Sequence, residues 1–174
     1  MMTPDYEART ALCMNRMLEQ HGPCYEGLSQ QTRKGVALLA GRLDMIEPKQ
    51  FNINVLITDL DGAWIKHKLN TTEGLDAWVK DPQSACGTVA CLAGWMIYDM
   101  CVFGAGPEGP LPMEDYAQEF MGLSYAEARA LFFPPGISAH TDDQYTIAQA
   151  KQVLAHCWKT GEINWGLALE GELA

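Results

Sequence analysis

Ten consecutive residues, Val89-Ala90-Cys91-Leu92-Ala93-Gly94-Trp95-Met96-Ile97-Tyr98, carry no charge and almost no polarity. A helix of that composition has no polar stripe to turn to water, so other elements must enclose it on every side. The segment Ser84-Ala85-Cys86-Gly87-Thr88 precedes the run and reads as its start, giving a buried central helix from Thr88 to about Asp99. Ala90, Ala93 and Gly94 are small, which predicts a close approach by a neighbouring helix. The longer apolar stretch from Val89 to Gly106 is broken by Asp99 and by glycines, so it reads as a core helix and not as a membrane span.

The rest of the chain supplies amphipathic helices to wrap that core. Thr3-Pro4 pairs a capping hydroxyl with a proline at the first helical position, and Tyr6, Cys13, Met14, Met17 and Leu18 recur at helical spacing up to Gly22-Pro23. Ser29 opens a second helix with Val36, Leu39, Leu43 and Ile46 on one face, ended by Pro48. Residues 51–68 read as a short strand, a hairpin or an extended segment, with Asp61-Gly62 as a turn. A short helix is expected over Asn70–Lys80, carrying Leu75 and Trp78, and the glycine- and proline-rich stretch Gly104–Pro112 reads as a surface loop. Met113–Met121 predicts a further helix. Ser124-Tyr125-Ala126-Glu127 and Thr146-Ile147-Ala148-Gln149 are capping boxes for two more, with Gly161 closing the last. With no internal repeat or linker, residues 1–174 read as one compact, mainly α domain.

Charge bounds the function. The formal net charge is −10, and an acidic chain repels a phosphate backbone, which argues against duplex nucleic acid as a partner. Residues 1–80 hold nine of the twelve Lys and Arg, so an anionic ligand is expected to touch Arg33, Lys34, Arg42, Lys49, Lys66, Lys68 or Lys80. The more acidic half beyond them suits a basic partner or solubility. The amino terminus has neither a basic nor an apolar leader region, so a cytoplasmic location without membrane contact is expected, with the six cysteines as free thiols.

The run Cys86-Gly87-Thr88-Val89-Ala90-Cys91-Leu92-Ala93-Gly94-Trp95 resembles the motif of a family of small hypothetical proteins found in phages and bacteria. The similarity extends over residues 48–165, through Pro48-Lys49-Gln50-Phe51-Asn52, Gly122-Leu123-Ser124, Leu131-Phe132 and Thr160-Gly161-Glu162-Ile163-Asn164-Trp165. Asn52 and Asn164 depart from it, since members of that family often carry aspartate there. The resemblance implies a phage or bacterial accessory protein in the host cytoplasm, of a kind that counters host immunity. It implies no particular chemistry.

The residues themselves leave three readings. Main-chain N–H groups of Cys86, Gly87, Thr88 and Val89 at a helix start would favour a phosphate or carboxylate, with Trp64, Trp78 and Trp95 as flat shelves and Lys66, Lys68 and Lys80 as charge. That combination supports the leading expectation: a non-enzymatic binding protein that captures a small anionic, nucleotide-like molecule or docks on a host protein. No Walker or dinucleotide pattern accompanies it. The rival is a thiol-dependent hydrolase or transferase, with Cys86 as nucleophile and His140 as its base, oriented by Asp142 or Asp143. A structural or oligomeric interaction protein is the third reading. Cys86, Cys91, His156 and Cys157 lack the paired spacing of a zinc site, and Asp59 and Asp61 read as a turn, so neither metal nor cofactor is expected.

Overall fold

The computed structural model describes residues 4–53, 56–59, 71–84, 88–106, 113–135 and 145–170. Among them the chain forms eight α-helices and two short strands, in the order α1 (Pro4–His21), α2 (Gln30–Leu43), β1 (Ile57–Asp59), α3 (Thr72–Val79), β2 (Thr88–Ala90), α4 (Leu92–Val102), α5 (Met113–Met121), α6 (Tyr125–Phe132), α7 (Ile147–Thr160) and α8 (Trp165–Glu170). The mainly α architecture expected from the sequence is present.

The helix boundaries follow their capping chemistry. Ser29 Oγ accepts the Thr32 N–H at 3.0 Å and starts α2. Thr71 Oγ1 accepts the Gly74 N–H at 3.1 Å and starts α3. Both sequence-predicted capping boxes are formed, Ser124 with Glu127 and Thr146 with Gln149. Gly161 ends α7 at φ +79°, a left-handed conformation that only glycine adopts at little cost. Asn164 Oδ1 accepts the Leu167 N–H at 3.3 Å, a cap that aspartate would serve equally well.

The apolar run does make a buried helix, α4, in which every residue from Leu92 to Cys101 is buried. It packs against α2, α3, α5, α6 and β2. Helix α2 is almost as enclosed: all of Gly35–Leu43 is buried, Arg42 included. The side chains of Arg42 and Asp99 form a buried ion pair between these two helices, with Arg42 Nε 3.0 Å from Asp99 Oδ1 and 3.2 Å from Oδ2. The guanidinium also lies over the rings of Tyr98 and Trp95, at 5.1 and 5.5 Å. Asp99, which breaks the apolar stretch in the sequence, is thus the counter-ion of an arginine held inside the protein. Burial works against the Arg42 charge, but Asp99 more than offsets it, so its pKa stands above the ordinary value.

Two expectations about this region change. The helix begins at Leu92, with Cys91 as its N-cap, four residues beyond the predicted start. Thr88–Ala90 is instead strand β2, antiparallel to β1 in the register Ile57↔Ala90, Thr58↔Val89, Asp59↔Thr88. The reason is tertiary. Asn52 N–H donates to the Ala90 carbonyl at 3.2 Å and Gln50 Nε2 to the Thr88 carbonyl at 3.3 Å, so extended neighbours take up main-chain groups that a helix would have used internally. The second change concerns Gly94, whose close neighbour is not a helix but the main chain of Leu56, just ahead of β1. A strand within 51–60 is present, paired with residues some thirty positions later and not across a local hairpin; the Asp61-Gly62 turn lies outside the described residues.

The C-terminal segment is also more firmly held than its acidic ending suggests. Trp165 is buried, donates from Nε1 to the Leu131 carbonyl at 3.2 Å, and meets Tyr145 edge-on at 4.9 Å.

Candidate functional site

The residues expected to capture an anion fall into two groups. Cys86, Gly87, Trp64, Lys66, Lys68 and the proposed base His140 lie outside the described residues. Thr88, Val89, Trp78, Lys80 and Trp95 are described, and three of them are committed to the protein's own interior. Thr88 is fully buried; its hydroxyl donates to the Ser84 carbonyl at 2.7 Å and accepts from Trp78 Nε1 at 2.8 Å. Trp95 is fully buried and donates from Nε1 to the Gln50 carbonyl at 3.2 Å. A buried indole N–H must find an acceptor, and here both acceptors come from the chain. Val89 is half-buried in β2, so its amide belongs to a strand and not to a helix start; Lys80 is exposed at the end of α3.

The basic segment is similarly engaged. Arg33 donates to the carbonyls of Leu28 and Glu26 at 3.0 and 2.8 Å, Lys34 pairs with Glu7 at 3.3 Å, and Lys49 pairs with Glu47 at 2.9 Å. With Arg42 bound to Asp99, these four cations already have partners. A shallow cleft of about 270 Å³ between α1, α2 and α5 does contain Lys34, but Glu7 lines it too.

A different site emerges where the true start of α4 meets α5 and α6. A cavity of about 160 Å³ lies beside Cys91 and Ala93, with Ile53, Leu56 and Phe132 as its apolar walls. A second cavity, of about 170 Å³, lies between α5 and α6 against Asp115, Gln118, Tyr125 and Arg129. Glu114, Phe132 and Phe133 line both, so the two form one groove, mostly apolar throughout, whose outer end also carries Asp115, Gln118 and Arg129. Two large rings stand open at its rim: Tyr125 is 66% exposed and Phe133 is 50% exposed. The Arg129 guanidinium lies over both, 5.9 Å from the Tyr125 ring and 5.6 Å from that of Phe133.

At the inner end Cys91 is an unactivated thiol. Burial pushes its pKa up; the amides of Gly94 and Ala93 facing the sulfur pull it down by less, and the Glu114 carboxylate adds to the rise. Burial likewise raises the thiols of Cys13, Cys101 and Cys157, the last two to about 12. Since the thiolate is the reactive form, these four are expected to resist iodoacetamide at neutral pH while the protein is folded and to react once it is unfolded. Peptide mapping after a short labelling pulse checks this, and rapid native modification of Cys91 would contradict it.

Glu114, Tyr125, Arg129 and Phe133 were not singled out by the sequence. One signal was available: Ala128, Leu131 and Phe132 satisfy the inward face of α6, which leaves Tyr125 and Phe133 as aromatic residues with no core position to fill. Among the described residues no group of three or more His, Cys, Asp and Glu side chains could hold a metal ion, and no helix is long and apolar enough to cross a membrane. No protein-family model, curated protein or solved structure matches the chain.

Proposed function

We propose that this chain is a non-enzymatic binding protein that docks on a partner protein through the groove between α5, α6 and the first turn of α4. The carrying observation is the continuity of the two cavities through Glu114, Phe132 and Phe133, with the Tyr125 and Phe133 rings exposed at the rim. Exposed rings beside a preformed apolar recess are typical of surfaces that anchor another protein. Small-molecule capture is less favoured there. The acids Glu114 and Asp115 that line the groove oppose a phosphate. In the phage or bacterial setting implied by the motif, the partner would be a host protein, and occupying it would counter a host defence.

The thiol-enzyme reading keeps its own signature, a Cys86 that outpaces Cys13 and Cys157 with iodoacetamide. The direct test of docking compares affinity capture from bacterial lysate by the wild-type chain and by Tyr125→Ala/Phe133→Ala. Both rings are exposed, so each substitution should change stability by no more than about 0.5 kcal/mol. A partner recovered with the wild type should fall at least roughly tenfold with the variant, a loss of about 1.4 kcal/mol of binding. Equal recovery by both proteins would remove the groove from consideration, and a nucleotide found on the purified chain by native mass spectrometry would favour the capture alternative.

A further inference from the structure

We infer that the segment received by this groove is basic and carries one large apolar anchor with an arginine beside it; this rests on the docking reading above. Two features of the groove specify the two parts of that segment.

The anchor is set by the inner recess. Its volume of about 160 Å³ and its walls of Ile53, Leu56, Ala93 and Phe132 are apolar and fixed by the core around them. An apolar cavity of about 150 Å³ accepts a benzene-sized group, so the recess matches one phenyl ring or one branched aliphatic side chain. It is too small for a helix or a strand to enter, so the partner contributes a single side chain here and runs its main chain along the outer groove.

The charge is set by what surrounds the recess. Glu114 stands where the two cavities join, close enough to the inner end to act on the Cys91 thiol, and Asp115 follows it in the outer cavity. Both occupy the first turn of α5, where the helix dipole favours a negative charge. Glu119 and Glu127 add to the acidity of α5 and α6, and Arg129 is the only base on the two helices. That arginine is already held over the Tyr125 and Phe133 rings, which shows these rings accept a guanidinium face. A carboxylate beside an aromatic rim suits a planar guanidinium, which can pair with the one and stack on the other, better than a point charge, which selects arginine over lysine. A second copy of this chain is a poor occupant, because at a net charge of −10 it would be repelled from an acidic groove.

Selection of a random displayed-peptide library on the full chain tests the inference without knowledge of the natural partner. The expected winners place arginine next to a phenylalanine, leucine or isoleucine. Their affinity should drop roughly tenfold or more in Glu114→Gln/Asp115→Asn and should weaken as salt is raised. Thermal melting of that variant establishes that it is folded. If the winners are neutral or acidic, yet lose binding to Phe133→Ala, the basic-partner inference is overturned while docking at the groove stands. If no peptide is enriched, or the winners ignore both Phe133→Ala and the double acid variant, the docking reading itself falls.

Discussion

Replacing Asp99 by alanine is expected to cost about 3–5 kcal/mol, the loss seen when one member of a buried ion pair is removed. The magnitude comes from what stays behind. Arg42 is buried on α2 and would keep its charge with no counter-ion, since the Trp95 and Tyr98 rings offer only a partial cation–π substitute. Domains of this class have total stabilities of about 5–15 kcal/mol, so this substitution alone removes a large share. Urea unfolding monitored by circular dichroism measures it. The pair itself is a poor source of net stability, because its attraction mainly offsets the desolvation of both ions. The double replacement Arg42→Met/Asp99→Leu should therefore cost less than Asp99→Ala. A double variant that loses the sum of both single losses would mean no coupling between the two side chains and would contradict the pairing.

Gly94→Ala is the second large effect, with an expected loss of about 3 kcal/mol or more, the upper end of overpacking penalties. A Cβ on Gly94 would overlap the Leu56 carbonyl oxygen outright, and would stand 2.7 Å from the Leu56 carbonyl carbon and 2.8 Å from Ala90 Cβ. The obstacle is largely main chain, so no rotamer change relieves it. The residue displaced is Leu56, just ahead of β1, which lines the inner recess. The variant should therefore also weaken peptide binding at the groove, whereas an alanine substitution on the exposed side of α1, such as Leu12→Ala, should do neither. Gly94→Ala within about 0.5 kcal/mol of the wild type would mean that α4 and the Leu56 segment are not packed as described.

Most of the helical frame was legible because its signals are local. The Ser124 and Thr146 capping boxes, the Ser29 cap and the Gly161 stop each act within a few residues, and each is found where the spacing puts it. Val89-to-Tyr98 correctly announced a buried helix, yet misplaced its start. Nothing in Thr88-Val89-Ala90 reveals that Gln50, Asn52 and β1 will pair with it, because that pairing joins residues 29 to 38 positions apart. The same limit hid the fate of the cations. Arg42 in a sequence reads as surface charge, and only the fold brings it to Asp99, fifty-seven positions away. Trp78 and Trp95 were misleading in the opposite sense, as flat shelves in prospect and satisfied core side chains in fact. For the groove, Tyr125 and Phe133 were not singled out by the sequence, because the recess they border is assembled from four separate stretches of chain.

Isotope-edited NMR of the full chain, titrated with the best peptide selected on it, places the binding surface residue by residue. The amide shifts should concentrate at Ile53, Leu56, Cys91–Ala93, Glu114–Gln118 and Tyr125–Phe133. Perturbation centred instead on Trp78, Lys80, Thr88 and Trp95, with the α5–α6 amides unmoved, would contradict the groove and return the site to the neighbourhood of β2.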